Sequence, residues 1–422
     1  MNLDGTNDLR GPLQALIDSG SRINANKPEQ YWYPLSTATY EVDEVLAAVD
    51  SLCSFRTTMW DKTASFENRF AEVTGRSEAV MVNSGSSADL LIAFALVNPT
   101  VRLLNHGDEV LVPAVTWPTQ VWSPMMAGLK VRFVDVNPRT CNVDPDALEA
   151  AITSRTRAIS LVHLMGNPCD MDRILEICRR HDLVLFEDCC ESLGAAYKGK
   201  PVGSFGTAAS FSFFFSHHIT TMEGGMITCD DEHLSDTFRL LRAHGWGRNA
   251  KYRKVEPVAG VDPRYTFLNW GFNVRPTELQ AAFGLVQLDR LPAFHAARQQ
   301  NALHFQSLIA PLEEHLHLMT VDPGSECSWF ALPLTVDSSS PIKRDELTAF
   351  LEKAGIETRP IVAGNLARHP VVDIYPELQE ADLPGADAIH DRGFYLGLHP
   401  VDAREKLERV AALLTEFVER AL

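Results

Sequence analysis

The 422-residue chain lacks several features that mark particular classes of protein. No uninterrupted apolar run reaches the roughly 18 residues that suggest a membrane-spanning helix. The N-terminal residues have neither the basic region nor the apolar region of a signal peptide. No internal repeat and no low-complexity tract is present. These absences predict a cytoplasmic protein that does not act at a membrane.

Closely spaced cysteines are also absent. The eight cysteines are scattered, and none forms a Cys-x-x-Cys or Cys-x-Cys pair. A chain of this length buries a core large enough to need no disulfide framework. A His217-His218 pair is present, but no third or fourth ligand occurs at a convincing spacing, so we expect no metal site.

Positive charge is scarce, because 38 lysines and arginines face 55 aspartates and glutamates, for a net charge of −17. This excess of negative charge repels nucleic acid and anionic membranes, so neither is an expected partner. A local phosphate-binding pocket is still compatible with it. With 45% hydrophobic residues, the chain is otherwise typical of a globular protein.

Short apolar segments alternate with stretches of helical spacing, which predicts βαβ units and an α/β fold with a mainly parallel sheet. Ligands of such sheets bind at the carboxyl ends of the strands. The predicted strands are Ala79–Val82, Glu109–Val112, Val131–Val134, Ala158–Val162, Leu183–Phe186 and Ala209–Phe213.

We divide the chain into an N-terminal arm (1–35), a large α/β domain (36–292) and a small C-terminal α+β domain with its connecting helix (293–422). The arm is polar and is expected to be weakly ordered or to form a short first helix. Two separate amphipathic helices, Thr277 to Leu291 and Ala293 to Leu312, are predicted at the junction of the two domains.

Three turns at strand ends carry residues suited to a ligand. Asn83-Ser-Gly-Ser-Ser-Ala-Asp89 precedes an apolar helix, and small residues at a helix N-terminus suit an anion, although an ordinary strand-to-helix turn has the same pattern. Trp117 follows the next strand, where a tryptophan is otherwise usually part of the core. Phe186-Glu-Asp-Cys-Cys-Glu-Ser-Leu-Gly194 closes a third strand with acidic residues, which would otherwise cap a helix.

The stretch Ser210 to Cys229 carries the most informative pattern. Together with the turns above, it resembles the DegT/DnrJ/EryC1/StrS family of sugar aminotransferases, whose anchoring segment is roughly Ser-Phe-x-x-x-Lys-x-Ile-Thr-x-Gly-Glu-Gly-Gly. Ile219-Thr-Thr221 and Glu223-Gly-Gly225 match it. The lysine that forms a Schiff base with pyridoxal phosphate (PLP) in the family falls on His217, and no lysine occurs from Pro201 to Ala250.

The resemblance implies a PLP-dependent transferase fold of type I and gives roles to residues by their position. Asp188 would pair with the pyridine nitrogen of the cofactor. The interval from Asp188 to His217 equals the family's interval between its aspartate and its lysine. Asn273 would reach the cofactor phosphate of a partner subunit, which implies a homodimer. The cofactor-binding residues implied are Gly85, Ser86, Ser87, Trp117, Asp188, Glu191, Ser216 and Asn273.

Two further residues are expected to contact the substrate, and each has a structural alternative. His244 corresponds to a position near the family's active site, but a surface-loop histidine is an equally good interpretation. Arg359 would bind the carboxylate of glutamate or a nucleotide phosphate through two hydrogen bonds. A structural salt bridge is the alternative for Arg359.

A histidine at position 217 is typical of a smaller group in the family, the 3-dehydratases of nucleotide-linked 4-keto-6-deoxyhexoses. These enzymes use PLP and its amine form, pyridoxamine phosphate (PMP). An imidazole cannot form the Schiff base, but its reference pKa of about 6.5 suits a general base. The resemblance implies loss of the C3 hydroxyl of the sugar, with L-glutamate converting PLP to PMP and ammonia being released.

The missing cysteine pairs separate two branches of these dehydratases. Cys190 aligns with one ligand of an iron–sulfur branch, but His244-Gly-Trp-Gly-Arg-Asn249 stands where that branch has a Cys-x-Cys pair. We therefore expect the cluster-free branch, whose precedent acts on a GDP-linked sugar; the sequence itself specifies neither base nor hexose. Two alternatives stay open: a sugar-nucleotide aminotransferase that works without the lysine, and a non-catalytic regulatory protein with the same fold.

Overall fold

The computed structural model describes residues 4–25, 31–378 and 382–422. Its strands form a large sheet, a small sheet and a short three-stranded ribbon. The strands are β1 Glu78–Val82, β2 Glu109–Pro113, β3 Lys130–Val134, β4 Thr156–Val162, β5 Val184–Asp188, β6 Ala196–Tyr197, β7 Lys200–Pro201, β8 Ala208–Ser212, β9 Gly225–Cys229, β10 Leu316–Leu318, β11 Ser325–Glu326, β12 Ala331–Val336, β13 Thr358–Arg359 and β14 Gly393–Gly397.

The helices pack around these sheets. They are α1 Asp4–Ala25, α2 Val42–Cys53, α3 Asp61–Thr74, α4 Gly85–Leu96, α5 Thr119–Met126, α6 Pro145–Ala150, α7 Met171–His181, α8 Glu232–Arg242, α9 Glu278–Ile309, α10 Arg344–Lys353, α11 Pro384–Arg392 and α12 Arg404–Ala421. Within the described ranges, every helix falls short of the length and hydrophobicity that a membrane crossing requires.

The large sheet has the strand order β1-β9-β8-β5-β4-β2-β3. The strands from β8 to β3 pair in parallel, and β9 runs antiparallel between β8 and β1. This order confirms the predicted α/β fold with a mainly parallel sheet. The sequence pattern did not reveal β9, because this strand follows β8 without an intervening helix.

Helices cover both faces of the large sheet, so its central strands are buried. Every residue of β1 and β2 is buried, which explains why these strands are apolar after their first glutamate instead of alternating. Neighbouring side chains point to opposite faces. Val80 accordingly joins the core on one side with Phe238, and Met81 joins the core on the other side with Phe211.

The C-terminal part of the chain builds its own antiparallel sheet in the order β10-β12-β14-β13. α10 and α11 pack on this sheet, and α12 packs on α9 and α10. This mixture of helices and antiparallel strands has the α+β character predicted for the segment. The domain boundaries at residues 35 and 292 stay predictions.

A single helix, α9, joins the two sheets where a break between two helices was predicted. It runs for 32 residues with Pro292 inside it. A proline within a helix costs about 3 kcal/mol, because it removes a hydrogen bond and crowds the preceding turn. α9 packs along α2, α3 and α12, and this packing outweighs the local cost. The predicted break is therefore wrong.

The N-terminal segment also differs from the expectation. α1 is a helix of 22 residues instead of a weakly ordered arm or a short helix. Arg10 Nη2 pairs with Asp43 Oδ1 at 2.6 Å and so links α1 to α2. Both side chains are exposed, so the pair adds little to stability.

Candidate active site

One edge of the large sheet gathers the polar turns that the sequence singled out. The carboxyl ends of the parallel strands meet there, and β9, which runs the other way, begins there. We call this region the strand-end site. It comprises Asn83–Ser87, Trp117, Asp188–Glu191 and Ser216–His217.

The turn after β1 forms a cradle at the N-terminus of α4. Ser84 Oγ caps the helix by accepting from Ser87 N at 3.1 Å, and Ser87 Oγ donates to Asn83 Oδ1 at 2.6 Å. Ser86 is exposed at the same helix end. The first N–H groups of a helix have no partner within the helix. The turn therefore presents N–H groups and hydroxyls where an anion is electrostatically favoured.

Two glycines allow this cradle to approach the neighbouring strands. A Cβ atom on Gly85 would lie 2.6 Å from Ser212 Cβ and 3.0 Å from Cys190 Sγ. A Cβ atom on Gly225 would lie 2.4 Å from the carbonyl carbon of Ser84. Such distances are sterically forbidden, so both positions require glycine, and the cradle rests directly on the ends of β8 and β9.

Asp188 ends β5 and is buried. Gln120 Nε2 donates to its Oδ2, and Cys190 N donates to its Oδ1, both at 2.8 Å. Ser160 Oγ donates to Gln120 Oε1 at 2.5 Å and thereby fixes the orientation of the amide. Burial raises the pKa of Asp188 to about 6 although these donors favour its ionised form. No basic side chain of the described residues forms an ion pair with it.

Trp117 and Glu191 are two further residues of the strand-end site. Trp117 stands between β2 and α5 with 57% of its surface exposed, so its ring is free to stack on a flat ligand. Glu191 accepts from Met165 N at 3.0 Å through Oε2. Burial raises the pKa of Glu191 to about 7.

His217 lies in the turn after β8 and is partly buried. Its ring makes edge contacts with Phe330, at 5.2 Å between centroids, and with Phe214, at 6.0 Å. Nδ1 has no hydrogen-bond partner in the described part of the chain. Burial, and then the charge of Arg298, lowers the pKa of His217 to about 4. The imidazole is therefore neutral at neutral pH.

A cavity of about 230 Å³ adjoins His217 and Ser216. Its wall also includes Arg298 of α9, Tyr395 of β14 and Glu357, so the cavity lies between the turn after β8 and the small sheet. The neighbouring His218 is buried and faces away, with Nε2 3.2 Å from Ser328 O. Only the first histidine of the pair therefore borders open space.

His244 and Asn273 lie next to each other but apart from the cavity lining. Both are exposed, and Ala243 and Asn273 form a β-bridge. Arg275 Nε donates to Asn273 Oδ1 at 2.9 Å. The single chain thus leaves Asn273 at its surface, as a contact with a second subunit would require, and the roles of both residues stay predictions.

Arg359 makes the salt bridge that was the structural alternative at this position. Its Nη2 lies 2.8 Å from Glu357 Oε1, and its Nη1 donates to Thr358 O at 2.8 Å. Since Glu357 lines the cavity beside His217, the guanidinium is close to the site. A role in substrate binding stays a prediction.

Sequence reasoning missed three polar residues of this region, Asp89, Gln120 and Arg298. Each is buried on a helix beneath or beside the site. The one available signal was a polar residue inside an otherwise apolar helix, which is clearest for Asp89 in α4. That signal does not say which strand the side chain faces.

Comparison with known proteins agrees with this geometry. The profile of the DegT/DnrJ/EryC1/StrS aminotransferase family matches residues 39–415. The chain is 39% identical over 387 residues to the GDP-4-keto-6-deoxy-D-mannose 3-dehydratase of Yersinia pseudotuberculosis, which covers 90% of this chain and 98% of the relative. The structure of E. coli GDP-4-keto-6-deoxy-D-mannose-3-dehydratase with bound hydrated PLP superposes with a TM-score of 0.87 at 36% identity, covering 91% of this chain and 99% of that chain.

A further solved structure is that of GDP-4-keto-6-deoxymannose-3-dehydratase with a trapped PLP-glutamate geminal diamine. It superposes with a TM-score of 0.86 at 36% identity and covers 90% of this chain and 100% of that chain. Fold, strand-end turns and family profile agree over most of the sequence. The chain therefore belongs to the DegT/DnrJ/EryC1/StrS aminotransferase family.

Proposed function

We propose that the chain is a PLP- and PMP-dependent 3-dehydratase, which removes the C3 hydroxyl of a nucleotide-linked 4-keto-6-deoxyhexose. The observation that carries the proposal is His217, a neutral imidazole beside a cavity at the position of the family's lysine. GDP-4-keto-6-deoxymannose is the first substrate to test, because it stands in the names of the relatives above.

The strand-end site fits the cofactor. The cradle around Gly85 and Gly225 has no room for a Cβ atom, and its helix N-terminus suits the phosphate, with Ser86, Ser87 and Ser216 as hydroxyl donors. Asp188 offers the pyridine nitrogen a buried carboxylate that has no basic partner within the described part of the chain. When bound, the cofactor supplies an electron-accepting ring and, in its amine form, an amino group.

His217 would move the protons of the reaction. Since its pKa is lowered to about 4, the imidazole is neutral and accepts a proton at a ring nitrogen. The conjugate acid then donates this proton to the departing C3 hydroxyl, which leaves as water. Arg298 opposes a lasting positive charge on the ring, so the proton is released readily. A lysine here would hold PLP covalently, which an imidazole cannot do.

L-Glutamate would supply the amino group and two electrons. Glutamate is oxidised to 2-oxoglutarate, its nitrogen leaves as ammonia, and the sugar loses the oxygen at C3, so atoms and electrons balance without a reductase. The PLP-glutamate ligand of one relative supports this donor. We further propose a homodimer, in which the exposed Asn273 reaches the cofactor phosphate of a second subunit, and substrate contacts by His244 and Arg359.

The deciding experiment incubates the protein with PLP, L-glutamate and GDP-4-keto-6-deoxymannose. We expect a sugar nucleotide that is lighter by one oxygen atom, together with ammonia and 2-oxoglutarate, measured by mass spectrometry and coupled assays. An amino sugar would instead identify the aminotransferase that the family's description suggests. Failure of glutamate to convert bound PLP to PMP would favour the non-catalytic alternative.

A His217→Lys variant tests the placement of the side chain. A lysine at this position should capture PLP in a bond that borohydride reduces to a stable adduct, whereas the wild-type protein should give none. His217→Asn is the matched control, since it removes the base without adding an amine. Absence of a covalent adduct in folded His217→Lys protein would show that this side chain does not face the cofactor.

A further inference from the structure

A second buried carboxylate lies beside Asp188. Asp89 is on α4, one turn past Gly85, and is only 7% exposed. Thr119 Oγ1 donates to its Oδ2 at 2.9 Å. Carboxylate oxygens of Asp89 and Asp188 lie within 4.8 Å of each other, and Cys190 Sγ lies within the same distance of both. The family resemblance implied Asp188 and Glu191 at this site, and Asp89 is a further acid that it did not imply.

The two carboxylates share one negative charge over a range of pH. Neither has a basic partner among the described residues. Two acids this close in a dry environment resist ionising together, because the charge of one raises the proton affinity of the other. Burial and the charge of Asp188 raise the pKa of Asp89 to about 8, whereas the pKa of Asp188 is raised to about 6.

The hydrogen-bond donors decide which acid holds the proton. Asp188 accepts from the Gln120 amide and from Cys190 N, and both N–H donors stabilise an ionised carboxylate. Asp89 accepts from the Thr119 hydroxyl. The Ser210 hydroxyl and the Gln120 amide also favour the ionised form of Asp89. Asp188 alone accepts from a backbone N–H, that of Cys190, which can only donate, whereas a hydroxyl can equally well accept a proton from a neutral acid. The anion is therefore better solvated by the protein at Asp188, and the proton resides on Asp89.

The other titratable groups that face the pair leave this assignment unchanged. Cys190 stays a neutral thiol, because burial and the nearby Asp188 and Asp89 raise its pKa well above the usual range. Glu191 faces Asp188, and its charge raises the pKa of that carboxyl. The Thr119 and Gln120 side chains from α5 are neutral donors.

We propose that Asp89 is a positioning residue that keeps its proton at neutral pH, so that Asp188 is the single negative charge opposite the pyridine nitrogen of the cofactor. The identity of the cofactor rests on the proposed function, whereas the shared proton does not. Above about pH 8 Asp89 ionises, and the pair of aspartates then carries a second negative charge.

The first test uses the cofactor-free protein, so it stands even if the proposed function fails. Besides the band of the Glu191 carboxyl, whose pKa is about 7, infrared spectra should show the C=O stretch of a second protonated carboxyl at neutral pH, which disappears with a midpoint near pH 8. The Asp89→Asn variant should lack this band. In Asp188→Asn the midpoint should move to lower pH, because the like charge is gone. A neutral-pH spectrum without an Asp89-dependent band would overturn the proposal.

The second test measures PMP affinity at a series of pH values, with the absorbance of PMP as the readout of binding. Asn resembles a protonated aspartic acid, so Asp89→Asn should bind PMP at pH 7 within about threefold of the wild type. It should also lack the change in affinity that the wild type shows above about pH 8. A change beyond about tenfold at pH 7 in a folded variant would mean that Asp89 is ionised there.

A further variant covers the case in which Asp89→Asn does not fold. Thr119→Val keeps the side-chain shape but removes the donor to Asp89 Oδ2. Loss of a donor disfavours the ionised acid, so the infrared midpoint should move to higher pH. A move to lower pH would contradict the assignment of the proton to Asp89.

Discussion

Two groups of buried carboxylates in this fold differ in one respect, the presence of basic partners. In the first, which we call the paired cluster, Glu67 lies 2.6 Å from Arg242 Nη1 and 2.9 Å from Arg239 Nη1, and Glu78 lies 3.0 Å from Arg239 Nη2. Burial alone would raise the pKa of Glu67, but the two arginines bring it below its ordinary value. The pKa of Glu78 falls to about 2.

The second group, the unpaired cluster, consists of Asp188 and Glu191 in the strand-end site and of Asp89 beside it. Burial raises the pKa values of all three, to about 8, 6 and 7. None of them pairs with an arginine, lysine or histidine among the residues described. The protein meets the cost of burying them with N–H and O–H donors and with retained protons.

The presence or absence of basic partners distinguishes carboxylates that stabilise the fold from carboxylates that are available to bind a ligand. The paired cluster ties α3 and β1 to α8 and is electrically balanced from within. In the described ranges of the chain the unpaired cluster has no basic partner, and the pyridine nitrogen of the cofactor would supply a positive charge there. Substitutions in the paired cluster should therefore lower the stability of the fold and leave cofactor binding unchanged. Substitution of Asp188 in the unpaired cluster should lower cofactor affinity and leave stability largely unchanged.

The largest effect is expected from Glu67→Gln in the paired cluster. This change leaves Arg239 and Arg242 buried with one carboxylate fewer, which costs about 3–5 kcal/mol of unfolding free energy. Urea denaturation at neutral pH measures it, and PMP affinity of the folded fraction should be unchanged. A loss below about 1 kcal/mol would show that the arginines find other acceptors.

Asp188→Asn should behave in the opposite way. PMP affinity should fall about 100-fold, because the pyridine nitrogen loses its charged partner. The cofactor-free protein should keep or gain stability, since a buried acid without a counter-ion is removed and the amide can still bond Cys190 N. If the cofactor-free variant were as unstable as Glu67→Gln, Asp188 would belong with the structural acids.

The pH dependence of stability, measured for the wild type and for Glu191→Gln, tests the contrast between the two clusters further. The pKa of Glu191 rises from 4.5 to about 7 on folding, so the folded protein binds this proton more tightly than the unfolded chain. The resulting stability is fully present below about pH 4.5 and is lost as the pH rises through about 7. Relative to the variant, the cofactor-free wild type should lose about 3 kcal/mol from acid to alkaline pH.

Chemical denaturation of both proteins at a series of pH values measures this difference. For the paired cluster we expect the opposite dependence of stability on pH. The pKa of Glu78 is lowered to about 2, so its contribution to stability is present above the pKa of a glutamate in the unfolded chain and is lost only in strong acid. A wild-type stability that rises against Glu191→Gln between neutral and alkaline pH would refute the assignment of Glu191 to the unpaired cluster.

The strands and the turns of the strand-end site could be predicted from the sequence better than the rest of the molecule. The strands and their terminal turns were readable, because an apolar run, a small-residue turn and a helix follow each other locally, as from Val80 through Gly85 to Leu91. The register of Asp188 with His217 was readable because a family pattern spans both residues. The roles of these residues stay predictions.

What could not be read depends on contacts between distant segments. Pro292 predicts a helix end by itself, and only the packing of α9 on α2, α3 and α12 overrides it. Asp89 on α4 and Gln120 on α5 contact Asp188 on β5. Glu67 pairs with Arg239 and Arg242, which lie 172 and 175 positions further along the chain. Periodicity reports which face of an element is buried but not what it faces.

The smallest effect is expected at an exposed carboxylate. Asp289 pairs with Arg69 at 2.5 Å, no longer than the ion pairs of the paired cluster, but 66% of its side chain is exposed. Water screens this pair, so Asp289→Asn should change the unfolding free energy by about 0.5 kcal/mol at most and leave PMP affinity as it is. Urea denaturation beside Glu67→Gln gives the measurement. A cost of about 3 kcal/mol would mean that pairing alone, irrespective of burial, sets the stability of the carboxylates in this fold, and the contrast between the two clusters would then lose its physical basis.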